Sequence, residues 1–272
     1  MATSIMIETA PSNSPWLVMV HGMSQDHRIF DEQVKAFSGR FRILLIDLPC
    51  HGLATDIDGP YGHVEYARHV HTEIRKHIST SVHYWGTHTG TAAALLIASA
   101  EPVIFKSLVL EGPVMPGQNV PAVVSETERA REIARSKGAP AAVEAWWSKA
   151  CWFDYMKKSP KDCRANQHQT IIADFRAGPW IDRKAPAPVK DISGNLEQLS
   201  IPTLIYNGTY DHLDFLEQAE RLVRILPQAQ RWLAPNAGGF PAWERPDSVN
   251  ERVGRFFYDV SQDRAERSSS VV

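Results

Sequence analysis

Hydrophobic residues along this chain gather in short unbroken runs rather than alternating with polar ones. WLVMVHG over 16–22 has the look of a strand buried on both faces of a parallel sheet. FRILLIDLP over 41–49, SVHYWG over 81–86, KSLVLEGP over 106–113 and PTLIYNGTYD over 202–211 repeat it, and QRWLAPNAGG over 230–239 is a shorter sixth. Between the runs the spacing turns helical, over about 30–38, 62–78, 90–100, 214–225 and 246–260. Strands alternating with helices of this length predict right-handed βαβ crossovers, hence an α/β fold with a doubly wound, mostly parallel sheet. Such sheets bind ligands at the carboxyl ends of their strands. His21, Gly22, Asp47, Gly86, Glu111, Asp211 and Gly239 are therefore expected along one rim.

Between Met115 and Leu199 the rhythm breaks. SETERAREIARSKG, PAAVEAWWSKACWFDYMKK and ANQHQTIIADFRAG read as helices, followed by a return loop rich in proline and lysine. The expected organisation is a core over 1–114 and 200–260, a helical cap over 115–199, and a disordered tail over 261–272. Trp146, Trp147 and Trp152, with Phe153 and Trp180, are placed either to line a substrate pocket under the cap or to hold a thin cap onto the sheet. Both roles stay open at this level.

Composition narrows the partners more than the fold. A chain of 272 residues can bury one large core, or one core with a small cap. A net charge of −2 argues against nucleic acid or an anionic membrane as partner. No apolar run approaches the roughly 20 residues of a membrane span, and the first residues lack the basic start and apolar stretch of a signal peptide. Cys50, Cys151 and Cys163 are odd in number and widely spaced, which suits a reduced, cytoplasmic setting. The expected partner is a small molecule, with a homodimer left open, no cofactor and no metal; His21, His27, His51 and His88 lack metal-ligand spacing. His63, His69, His71 and His77 are spread over helical faces and read as surface.

HYWGTHTGTAAALL, 83–96, carries the densest chemical signal. An apolar strand enters Gly86-Thr87-His88-Thr89-Gly90 and an alanine-rich helix leaves it, the layout of a nucleophile elbow. VHGMSQDHRIF and IDLPCHGLA stand before it on strand ends, and YNGTYDHLDF and LAPNAGGFPAWERPDSVN after it. Together these landmarks, four when the last two stretches are taken as one, resemble the α/β-hydrolase superfamily over nearly the whole chain to Asp259. Only 20 residues precede His21, room for one leading strand rather than two, so a trimmed sheet is expected. The resemblance places the acid on Asp211, the oxyanion-hole amides on Met23 and Thr89, the nucleophile position on His88, and the general-base histidine where this chain has Gly239. Two members of a Ser-His-Asp triad are absent, and the ordinary triad mechanism cannot operate.

A histidine at the elbow would be a neutral imidazole near the N-terminus of a helix, able to serve as base, nucleophile or ligand. One expectation is a relocated dyad, with Asp211 orienting His88 as general base in hydrolysis or a related reaction. A second is a scaffold that keeps the pocket and binds a ligand without turnover. The third follows from the Asp26-His27-Arg28 stretch, which resembles cofactor-free quinolone dioxygenases of this fold. Those relatives take their acid from the strand end that Glu111 occupies here, implying oxygenation of a hydroxyquinolone-like heteroaromatic. His21, His27 and Glu111 join the three tryptophans as candidate substrate contacts. Asp26 and Arg28 are expected to tie their loop down, His51 to brace its turn, and Cys50 to be a buried thiol rather than a hidden nucleophile.

Overall fold

The computed structural model describes residues 2–269, with side chains as far as 262. Its strands are β1 (Ser4–Ile7), β2 (Trp16–Val20), β3 (Arg42–Ile46), β4 (Val82–Thr87), β5 (Phe105–Glu111), β6 (Thr203–Gly208) and β7 (Ala229–Ala234). They form one sheet in the order β1-β3-β2-β4-β5-β6-β7. Only β1 runs antiparallel, against β3, and it is the single strand ahead of β2. The unbroken apolar runs follow from burial on both faces. Leu17, Met19, Ile43, Leu45, Trp85 and Val109 point into one apolar cluster, while Val18, Val20, Leu44, Ile46, Tyr84 and Leu108 point into the other.

Helices cover both faces. α1 (Asp31–Phe37) leads into β3, α2 (His63–His77) into β4, and α3 (Thr89–Ala100) into β5. Between β5 and β6 the chain forms α4 (Pro121–Lys137), α5 (Ala139–Lys149), α6 (Asp154–Lys158), α7 (Ala165–Ala173), α8 (Gly178–Ile181) and α9 (Ser193–Leu196). α10 (Leu213–Ile225), α11 (Pro241–Glu244) and α12 (Pro246–Ser269) complete the fold. The expected irregular tail is corrected in part. α12 continues to Ser269; residues 270–272 lie outside the described residues.

Parallel register aligns the strand ends. Val20 faces both Ile46 and Gly86, Thr87 faces Glu111, and Glu111 faces Tyr206. The chain beyond each of these residues leaves the sheet on the same rim, and the helices α4 to α8 lie over it.

Candidate active site

His88 stands at the tip of the strand-to-helix turn with φ 45° and ψ −108°, a backbone conformation that side-chain-bearing residues seldom hold. The turn closes because its flanks are bare. A Cβ on Gly90 would lie 2.9 Å from His21 O, and one on Gly86 would lie 2.8 Å from Gly90 backbone. Hydrogen bonds lock the tip: His88 N donates to Glu111 O at 2.9 Å, and Thr91 Oγ1 to His88 O at 2.6 Å.

The His88 ring sits between Phe215 and Phe240, with centroids 4.7 and 4.8 Å away. Its Nε2 lies 2.8 Å from Gly239 O. A carbonyl can only accept, so Nε2 carries the proton and Nδ1 the lone pair. No group among the described residues hydrogen-bonds to Nδ1. Burial pushes the imidazole pKa down to about 4, so the ring is neutral at pH 7.

The expected Asp211–His88 contact is not made. Asp211 accepts from Asn207 Nδ2 at 2.7 Å and His212 N at 2.7 Å, and burial pushes its pKa up to about 7. A Cβ on Gly239 would lie 3.5 Å from Asp211 Oδ1, so the carboxyl faces the position where the sequence resemblance expects a histidine. That Cβ would also lie 2.8 Å from Trp152 O and 3.1 Å from Trp152 Cβ. The segment after α5 fills that position, and His88 reaches the carbonyl of Gly239 instead of the acid beyond it.

An apolar cavity of about 310 Å³ opens beside this ring. Met23, His88, Thr89, Trp146, Trp152 and Trp180 are among its walls. Neither the Met23 nor the Thr89 amide finds an acceptor among the described residues. The loop that carries Met23 is tied from several sides. Gly22 N donates to Gln25 Oε1 at 3.1 Å, Gln25 Nε2 to His168 Nε2 at 2.8 Å, and Trp146 Nε1 to Ser24 Oγ at 2.9 Å. Ser24 N donates to His51 Nε2 at 3.1 Å, and His51 Nδ1 to Pro49 O at 2.9 Å.

Four sequence candidates fall elsewhere. His21 is fully buried, donating from Nδ1 to Gly22 O and accepting from Leu48 N at Nε2, so both nitrogens serve the backbone. His27 binds Asp47 through Nδ1 at 2.7 Å and lines a separate groove with Asp26 and Arg28. Glu111 turns under the rim, accepting from Tyr206 Oη at 2.5 Å and Ala242 N at 2.9 Å. Trp147 packs on Phe153 at 5.0 Å and lines an outer groove. For His21 and Glu111 the reason is shared: each lies at or next to a strand end, and its side chain is recruited to hold neighbouring backbone. Cys50 is buried against Gly178 and lies outside the cavity wall.

Sequence reasoning missed His63, which lines the cavity instead of the surface, and His168, Glu244 and Arg131. Glu244 accepts from Gly238 N, and burial pushes its pKa up to about 8. No pattern in the chain marks His63, His168 and Arg131, whose surroundings come from elements distant in sequence, whereas Glu244 holds Gly238 six residues before it.

A parallel sheet with a sharp strand–turn–helix elbow on its carboxyl rim, two free amides beside the elbow tip and an apolar cavity above them defines a hydrolase-type scaffold. The tip side chain here is imidazole. The chain belongs to the α/β-hydrolase fold family, whose model matches residues 15–246. The pimeloyl-[acyl-carrier protein] methyl ester esterase of Nitrosomonas europaea is 45% identical over 53 residues, 20% of this chain and 21% of that protein. The chain thus matches about a fifth of that relative's length. MenH from S. aureus superposes with a TM-score of 0.80 at 19% identity, covering 96% of this chain and 100% of that one. The enol-lactonase from Burkholderia xenovorans LB400 does so with a TM-score of 0.76 at 19% identity, covering 94% and 95%. At such identities these structures speak for the fold alone.

Proposed function

We propose that the protein acts on a small, partly apolar carbonyl compound by hydrolysis or related base chemistry, with the helices α4 to α8 as a cap and no Ser-His-Asp triad. The observation that carries this reading is the convergence, on one cavity, of the unengaged Met23 and Thr89 amides and the neutral His88 ring. In this reading the two amides receive the carbonyl oxygen as it gains charge, and His88 Nδ1 takes a proton from water or from the substrate. Asp211 supports its own loop rather than the imidazole.

A turnover panel of activated esters, lactones, C–C-cleavable diketones and hydroxyquinolones, with oxygen uptake followed, tests this. His88→Ala should lower kcat/KM by about 10²–10⁴, the range of a positioned acid–base group. Asp211→Asn should stay within a few-fold of wild type, because Asp211 makes no contact with the ring. Equal loss in both variants would restore the dyad. Turnover untouched by His88→Ala would remove His88 from the chemistry.

One observation favours a second reading, ligand binding without turnover. A base with a pKa near 4 has little driving force for proton transfer at pH 7. A ligand that raises the melting temperature while no compound turns over would decide for it. The oxygenase reading gains no support from Glu111, whose carboxyl is engaged by Tyr206 and Ala242 away from the cavity.

A further inference from the structure

We infer that the ligand is an apolar molecule bearing one carboxylate, which Arg131 binds at the cavity mouth while the apolar body reaches toward His88. This rests on the reading of the cavity as the substrate site and adds the chemical class of what enters it.

The charge inventory of the wall carries the argument. Among the residues lining the cavity, Arg131 is the one with a permanent charge, and no aspartate or glutamate is among them. Aromatic rings, prolines and aliphatic side chains make up most of the rest. Arg131 is exposed at the edge of this apolar surface and has no ion-pair or hydrogen-bond partner among the described residues. Its neighbour on the same helix, Arg129, is paired with Glu126, so α4 is not short of acids; Arg131 is left out of their pairing.

Helix geometry explains the placement. Val123, Thr127 and Arg131 all line the cavity, and a spacing of four residues puts them on one stripe of α4. At 1.5 Å per residue the stripe runs roughly 12 Å. Val123 and Thr127 are half-buried and Arg131 is exposed, so the stripe passes from apolar to hydroxyl to cation on the way out.

The adjoining groove strengthens the same sign. Arg131 lines it together with Arg135, Arg183 and Lys184, against the single acid Asp182. Asp182 Oδ1 is already held by Lys184 N at 3.1 Å. A carboxylate leaving the cavity therefore meets a planar guanidinium able to bind both its oxygens, within a field of further cations. An ammonium at the same place would meet repulsion.

Calorimetric titration with 6-phenylhexanoate, its neutral primary amide and 6-phenylhexylamine tests this on wild type, Arg131→Gln and Arg131→Lys. The carboxylate should bind about five-fold tighter than the amide to wild type, the scale of a partly exposed charge pair, and the amine weakest. The preference should shrink in 0.5 M salt, vanish in Arg131→Gln and return in part in Arg131→Lys. Equal binding of acid and amide by wild type, a preference that survives Arg131→Gln, or no binding of any member at millimolar concentration would each overturn the inference. Catalysis is not read in this titration. Failure of the hydrolytic reading would instead appear as turnover indifferent to His88→Ala with the carboxylate preference intact.

Discussion

At the residue scale, the chemistry turns on which partner each nitrogen of His88 finds. Because Nε2 is spent on Gly239 O, the ring is a fixed tautomer with one available lone pair. Its base form is lost only as pH falls through about 4, below the usual histidine range, since burial disfavours the imidazolium. Any His88-dependent rate should thus be level from about pH 5 to 8; an inflection near 6.5 would mean the ring is solvated in the working enzyme. Gly239 is the companion residue. Placing a histidine there, Gly239→His, should not build a triad, because the new Cβ collides with Trp152 backbone. A loss of about 1–3 kcal/mol, the usual range for overpacking, is expected in thermal unfolding. A variant as stable as wild type would show that the segment around Trp152 yields.

The next scale is the loop between β2 and α1. Its amide at Met23 is useful only if the loop is held still, and the holding groups come from the helices inserted after β5. Trp146 on α5 bonds Ser24, and His168 on α7 bonds Gln25, which in turn bonds Gly22. In the proposed reading, ligand contact with Trp146 in the cavity wall and order in the Met23 loop are thereby linked, while His168 holds the same loop from outside that wall. Trp146→Phe keeps the ring and removes the N–H, at a cost of about 1 kcal/mol in global stability. Faster amide hydrogen exchange confined to residues 22–25, with kcat falling more than KM rises, is the expected signature. A uniform rise in exchange across the sheet would indicate a packing role only.

For the molecule as a whole, buried titratable groups set opposing pH dependences. Glu111 and Asp211 have folded pKa values pushed up to about 7 by burial and Glu244 to about 8, all above the roughly 4 of an unfolded carboxyl. The folded state holds their protons longer, so their stabilising contribution is lost as pH rises through 7 to 8. His51, His88 and His168 are pushed the other way by burial, to about 3, 4 and 3. They destabilise the fold as pH falls below 6.5. The two sets oppose one another between about 4 and 6.5, and of these six groups only the carboxyls titrate above that. The melting temperature should fall from pH 6.5 to 8.5, and Glu244→Gln should flatten that fall. A level melting temperature across the window would mean the three carboxyls are ionised in the folded protein.

Much of this architecture could be read from residue order. The strand runs, the elbow glycines and the absence of serine and histidine at their triad positions are local facts: strand burial imposes a two-faced apolar run, and a sharp turn tolerates only bare flanks. The same locality made it legible that Met23 and Thr89 lie beside the elbow, because both positions follow from the loop and the helix start. Partner choice was not legible. Whether His88 meets Asp211 or Gly239 O, whether Glu111 faces a ligand or Ala242 N, and whether His168 lies idle or holds Gln25 depends on residues more than a hundred positions away. Hydrogen bonds act over about 3 Å, whereas sequence pattern reports only periodic burial within one element. The sequence determined the scaffold and the histidine at its elbow; tertiary packing decided which nitrogen of that histidine stays free and left Arg131 as the one arginine or lysine on the cavity wall.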